Sequence, residues 1–285
     1  GLRPGRRVTQ PRPATLRQTP HAPISVGRNP GPMNTIQNPR AAAAAVSSTP
    51  TLPSGPDESV TGFGVMGLPF ASGHYLAFRD FPAASFRPGA AGYRSVWHRD
   101  PAGAWTFYAT SPAEESCARY FSVAMANPAV VCPIDMTWHG DFELSIKIPE
   151  ILTWTVELRH TTATRLFTRV GSKLPDSLSV NPAVLRVLGP LAGTVLGAGR
   201  IRLGGTMPNG QQFRIAPKQL WAVSATRATL EGRDLGDVVP LPEQARLGGF
   251  WAPQRGLAVV GQGRFDAFDP DRHRGAAELI CRQAH

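Results

Sequence analysis

The stretch whose reading decides the fold is Gly92–Pro112, GYRSVWHRDPAGAWTFYATSP. Two aromatic-rich runs flank Asp100-Pro101-Ala102-Gly103. Asp at the first turn position can bond forward to backbone amides, Pro at the second presets φ, and Gly at the fourth tolerates positive φ. A type I turn ending in a G1 bulge at Gly103 closes a hairpin that pairs Trp97 with Phe107 and Arg99 with Trp105. Strand side chains alternate. Tyr93, Trp97, Trp105 and Phe107 therefore share one face, which is expected to be core, and Val96, His98, Thr106 and Tyr108 share the other.

Most later segments have the same form, a short alternating run followed by a turn. Ile134–Trp138 and Phe142–Ile148 predict a second hairpin. A three-residue loop His139–Asp141 would pair Trp138 with Phe142, Met136 with Leu144 and Ile134 with Ile146. From Leu152 to about Val170 the chain alternates, with Leu152, Trp154, Val156, Leu158 and His160 on one face. Pro182–Ala198 is apolar, rich in small residues and interrupted by Pro190, which predicts a short buried, kinked helix. Strands resume at Arg200. Pro208-Asn209-Gly210 is a hairpin turn of expected type I′, and Gln219–Leu230, Arg246–Pro253 and Gly256–Phe268 are further strands.

The chain has 285 residues, 42% of them hydrophobic, with 29 Gly and 28 Pro. This suits many short strands and turns. Residues 1–58 are rich in Pro, Arg, Ala, Ser and Thr without periodicity and are expected to be disordered. Met33 within them is a candidate start. Residues 59–268 are expected to form one barrel-like domain, and 269–285 a charged C-terminal tail. The fold class is all-β: an antiparallel lipocalin-like barrel or sandwich with one short helical insertion.

Half of the net charge of +10 comes from residues 1–60, where seven Arg face Asp57 and Glu58. A basic tail is not a basic stripe on a folded module, so nucleic acid is a disfavoured partner. Cys117, Cys132 and Cys281 are odd in number and include no CxxC, giving neither a disulfide framework nor a zinc signature. No apolar run is long enough for a helix to span a bilayer. The segment Ala41–Ala45 is too short for a signal-peptide core, and the expected location is cytoplasmic.

Gly62–Gly67 spells GxGxxG, but the fingerprint needs a strand before it and a helix opening after it. Thr61 precedes and Leu68-Pro69 follows, so a close-packed strand or loop is the better account. Trp97-His98-Arg99-Asp100 and Trp138-His139-Gly140-Asp141 repeat W-H-x-D. Turn-forming Asp and core Trp explain the pattern without a metal, and no metal site or cofactor is assigned. The candidate acid–base residue is His160, because an imidazole continuing an apolar face is desolvated and titrates near neutrality. The candidate ligand-binding residues are Tyr93, Trp97, Trp105, Trp138 and Trp154, whose rings can fill a core or line an apolar pocket.

Ser72-Gly73-His74-Tyr75-Leu76, followed by Trp97 and Asp100–Tyr108, resembles the opening of the lipocalin-like carotenoid hydratase and AttH-type group. That resemblance implies a large hydrophobic barrel, and in some relatives a cyclase. The expected function is binding of a hydrophobic small molecule (isoprenoid, polyketide or lipid) inside a β-barrel. The alternatives are an enzyme of that architecture performing acid–base hydration, isomerisation or cyclisation, and a filled sandwich used for protein interaction. No oligomeric state is assigned.

Overall fold

The structure is a computed structural model and describes residue 1 and residues 37–274 apart from 126, 176, 177, 179 and 180. Cys281 and Met33 lie outside the described residues.

Helix α1 (Pro39–Ser48) is followed by the strands β1 (Glu58–Pro69), β2 (Tyr75–Ala84), β3 (Tyr93–Arg99) and β4 (Trp105–Ala109). Next come the short helix α2 (Ala118–Phe121) and the strands β5 (Val130–Val131), β6 (Asp135–Trp138), β7 (Glu143–Ile148) and β8 (Leu152–Arg159). Helices α3 (Thr162–Lys173) and α4 (Pro182–Val195) precede β9 (Gly204–Thr206), β10 (Gln212–Leu230), β11 (Arg233–Asp234), β12 (Arg246–Leu247), β13 (Phe250–Trp251) and β14 (Leu257–Phe265).

Two antiparallel-dominated runs of strands meet where β1 pairs with β14, giving the strand order β5-β4-β3-β2-β1-β14-β10-β8-β7-β6, in which the short β4–β5 pair is parallel. The sheet is curled. Phe63 of β1 and Trp138 of β6 stand five strands apart, about 24 Å on a flat sheet, yet their ring centroids are 5.6 Å apart. The all-β, antiparallel expectation holds in the form of a half-barrel. Its edges are β5 and β6, which do not pair with each other among the described residues.

Both faces of the sheet are buried. The inner face gathers Phe63, Phe78, Val96, Leu144, Trp154 and Trp221 into one core. The outer face carries Tyr93, Trp97, Trp105 and Phe107, packed with Tyr120 and Phe121 from α2. The first hairpin has the expected register, Trp97 opposite Phe107 and Arg99 opposite Trp105. Gly103 has φ +97°, and the Asp100 carboxylate accepts from Ala104 N at 2.8 Å.

Four expectations are corrected. In the second hairpin Trp138 pairs with Leu144 and Met136 with Ile146, so the loop is two residues longer than expected. A shift of two leaves every side chain on its face, so hydrophobic alternation cannot detect it. The strand read from Leu152 to about Val170 stops at Arg159, where Thr161 and Thr164 form a reciprocal capping box and α3 begins. The turn at Pro208–Gly210 is not type I′, because Gly210 has positive φ and Asn209 does not. It has the same bonding as the first hairpin, with Gly210 N donating to Met207 O. Finally, within the span 1–58 read as lacking structure, residues 39–48 form α1. Asn38 caps this helix, Pro39 begins it, and Ala42 and Ala43 lie in the inner core.

Candidate functional site

The outer face of the sheet holds a cavity of about 200 Å³, roofed by α3 and α4. Its floor is made where β1 and β14 pair: Val60 opposite Gly263, Gly62 opposite Gly261, Gly64 opposite Val259, and Met66 opposite Leu257. Four of these eight positions are glycine, which keeps the middle of the floor free of side chains. The GxGxxG stretch thus lies in β1, with no helix after it.

The roof is held by sequence features that can be named. Between its pairings with β9 and β8, one edge of β10 has no strand partner. There Thr168 of α3 accepts from Leu220 N at 2.9 Å. Gly171 allows this approach, since a Cβ on it would lie 2.6 Å from Pro217 O. Helix α4 starts at Asn181, whose side chain accepts from Ala183 N at 2.9 Å, with Pro182 at the first helical position. Phe167, Val170, Leu185, Leu188 and Ala192 point from the roof to the cavity. Val170 also remains 41% exposed, so the cavity reaches solvent beside α3.

Two charged side chains border the cavity among the described residues, Arg79 deep within and Arg202 at the exposed side. Arg79 lies across β1. Its Nη1 donates to Phe78 O at 2.8 Å and Val65 O at 3.2 Å, and its Cζ sits 4.6 Å from the centroid of the Trp97 ring. Burial lowers its pKa, but a guanidinium stays protonated in proteins. Trp97 Nε1 donates to Cys117 Sγ at 3.2 Å, and burial raises the pKa of that thiol. A neutral, enclosed thiol is a packing group rather than a nucleophile.

Of the expected ligand-binding residues, Trp97 borders this cavity. Tyr93 and Trp105 share its face and are buried in the neighbouring aromatic cluster. Trp138 and Trp154 lie on the inner face, and Trp154 Nε1 donates to Thr226 Oγ1 at 2.8 Å. The five rings therefore do not line one pocket. Arg79, Trp251 and the glycine floor were missed. The available signal was glycine at alternate positions in two strand-like runs, Gly62/Gly64 and Gly261/Gly263, where bulky residues are favoured.

His160 follows β8 on the inner-face side, half-buried between Phe142 and Trp221, with ring centroids 5.7 and 6.2 Å away. Burial, then Arg165, lowers its pKa. It does not border the cavity, and among the described residues no carboxylate is joined to it by a hydrogen bond or ion pair. Glu115 pairs with Arg87 at 3.5 Å, Asp135 is exposed, and Glu157 is exposed on the opposite face.

The two W-H-x-D segments do not converge. His139 is exposed and bonded to Ser145 Oγ at 2.8 Å. His98 is buried against His74, Nε2 to Nδ1 2.8 Å, with the rings stacked. Burial pushes His98 down to about 4, with the His74 charge acting in the same direction. Among the described residues no group of three or more His, Cys, Asp or Glu is placed to hold a metal ion. No helix there is long and apolar enough to cross a membrane.

No family model matches the chain, and comparisons with curated proteins and with solved structures return no match. The resemblance drawn from Ser72–Leu76 and Trp97–Tyr108 therefore stands on those residues alone.

Proposed function

We propose that the protein binds a small apolar molecule between the outer face of its half-barrel and helices α3 and α4. The observation that carries this reading is a cavity of about 200 Å³ with almost entirely apolar walls. An apolar cavity of about 150 Å³ accommodates benzene. By that scale this one encloses on the order of eight non-hydrogen atoms. The reading keeps the expected ligand class, a lipid or short isoprenoid or polyketide, but places it outside the curl rather than inside it. An acid–base enzyme has less support: neither a carboxylate nor a histidine is among the described residues bordering the cavity.

Native mass spectrometry of the purified protein, followed by solvent extraction, tests the proposal. The comparison is with Ala192→Phe, which fills the cavity from the roof. An apolar species carried by the wild type and depleted in A192F is expected. A wild-type protein that carries nothing and takes up no hydrophobic probe on titration would overturn it.

A further inference from the structure

We infer that the bound molecule is a medium-chain carboxylate, with its head on Arg79 and its chain running beneath α3 and α4; the inference rests on the cavity being the binding site. Arg79 has surface open to the cavity yet lies deep in the fold. A cation in such surroundings is costly without a counter-charge. Among the described residues no carboxylate is within ion-pairing distance of it. The acids on neighbouring strands are already engaged, Asp80 with Arg94 at 3.3 Å and Glu58 with Arg119 at 2.9 Å.

The guanidinium is also oriented. Both of its hydrogen bonds to described residues come from Nη1, to the carbonyls of Val65 and Phe78. The edge formed by Nε and Nη2 has no such partner. A two-donor edge matches the two oxygens of a carboxylate. One deep cation matches a monoanion better than a phosphate, which carries more charge. Trp97 beneath the guanidinium and the neutral Cys117 thiol add no counter-ion.

The sequence maintains this arrangement at a cost. Gly64, directly opposite Arg79, gives up its side chain so that the arginine can cross β1, since a Cβ there would lie 2.9 Å from Arg79 Cδ. An enclosed space for about eight heavy atoms and an opening beside Val170 fit an acid of roughly that length whose end emerges at α3.

The test is calorimetric titration of sodium octanoate and of 1-octanol into wild type, Arg79→Gln and Arg79→Lys. Wild type is expected to bind octanoate about tenfold or more tightly than octanol, the scale of a charge-assisted hydrogen bond. R79Q should lose that preference while still binding octanol, and R79K should keep part of it. Equal affinities in the wild type would overturn the carboxylate inference and leave the cavity reading standing. Failure of both ligands to bind wild type would overturn the cavity reading itself. Should R79Q not fold, the wild-type comparison and R79K decide the matter.

Discussion

Gly64 faces Arg79 directly across the β1–β2 pair, and the arginine side chain fills the space that a Cβ on Gly64 would occupy. Gly64→Ala places that Cβ 2.9 Å from both Arg79 Cδ and Phe78 O. Overpacking of this kind costs about 1–3 kcal/mol. Urea unfolding of G64A should show a loss in that range. Octanoate affinity should fall as well, because the guanidinium is displaced; unchanged stability and affinity would mean that this contact constrains nothing.

A side-chain hydrogen bond ties the roof to β10. Thr168→Val keeps the shape of α3 but leaves Leu220 N without its acceptor. An unsatisfied buried donor costs about 1–3 kcal/mol. The loss should appear in thermal unfolding, together with faster release of a bound probe as α3 loosens from β10. A probe that leaves at the wild-type rate would show that the roof does not control access.

Stability should fall on mild acidification because of the His74–His98 pair. The folded-state pKa of His98 is about 4, below the ordinary imidazole value of about 6.5. Above the unfolded pKa both states are neutral. Between the two values the unfolded chain takes up a proton that the folded chain refuses, so stability drops as pH falls. By this linkage about 2 kcal/mol is lost from pH 7 to pH 5. His98→Phe should flatten that part of the profile. Parallel wild-type and H98F profiles would assign the acid sensitivity to other groups.

Ligand binding should change the emission of two tryptophans, Trp97 and Trp251, more than the rest. Trp97 and Trp251 border the cavity, whereas Trp154 and Trp221 are sealed in the inner core. Trp97→Phe should remove the part of the fluorescence change on octanoate titration that arises beside Arg79, leaving the part from Trp251. A full response in W97F would move the site away from Arg79.

The first hairpin was legible because Asp100, Pro101 and Gly103 each favour one turn position, and the turn then fixes the register. Assignment of side chains to faces was legible for the same reason, even in the second hairpin, where the loop length was misread. The end of β8 was harder to see. Leu166, Phe167 and Val170 can extend an alternating strand as well as a helix, and what decides is the Thr161–Thr164 cap, a local bond with a weak pattern. Arg79 was invisible as a site because a charged residue in a strand reads as solvent-facing. Only its placement opposite a glycine and over the Trp97 ring turns it toward the cavity. Which tryptophans meet a cavity depends on the sheet having two buried faces, a property of the whole curl that no local stretch encodes.

The most direct test of the account is a crystal structure of the protein with 8-bromooctanoate, located by the anomalous signal of bromine. The account predicts bromine on the outer face, between the β1–β14 floor and α3 near Val170, with the carboxylate at Arg79. Bromine on the inner face beside Trp154, or no ordered bromine at saturating ligand, would contradict it.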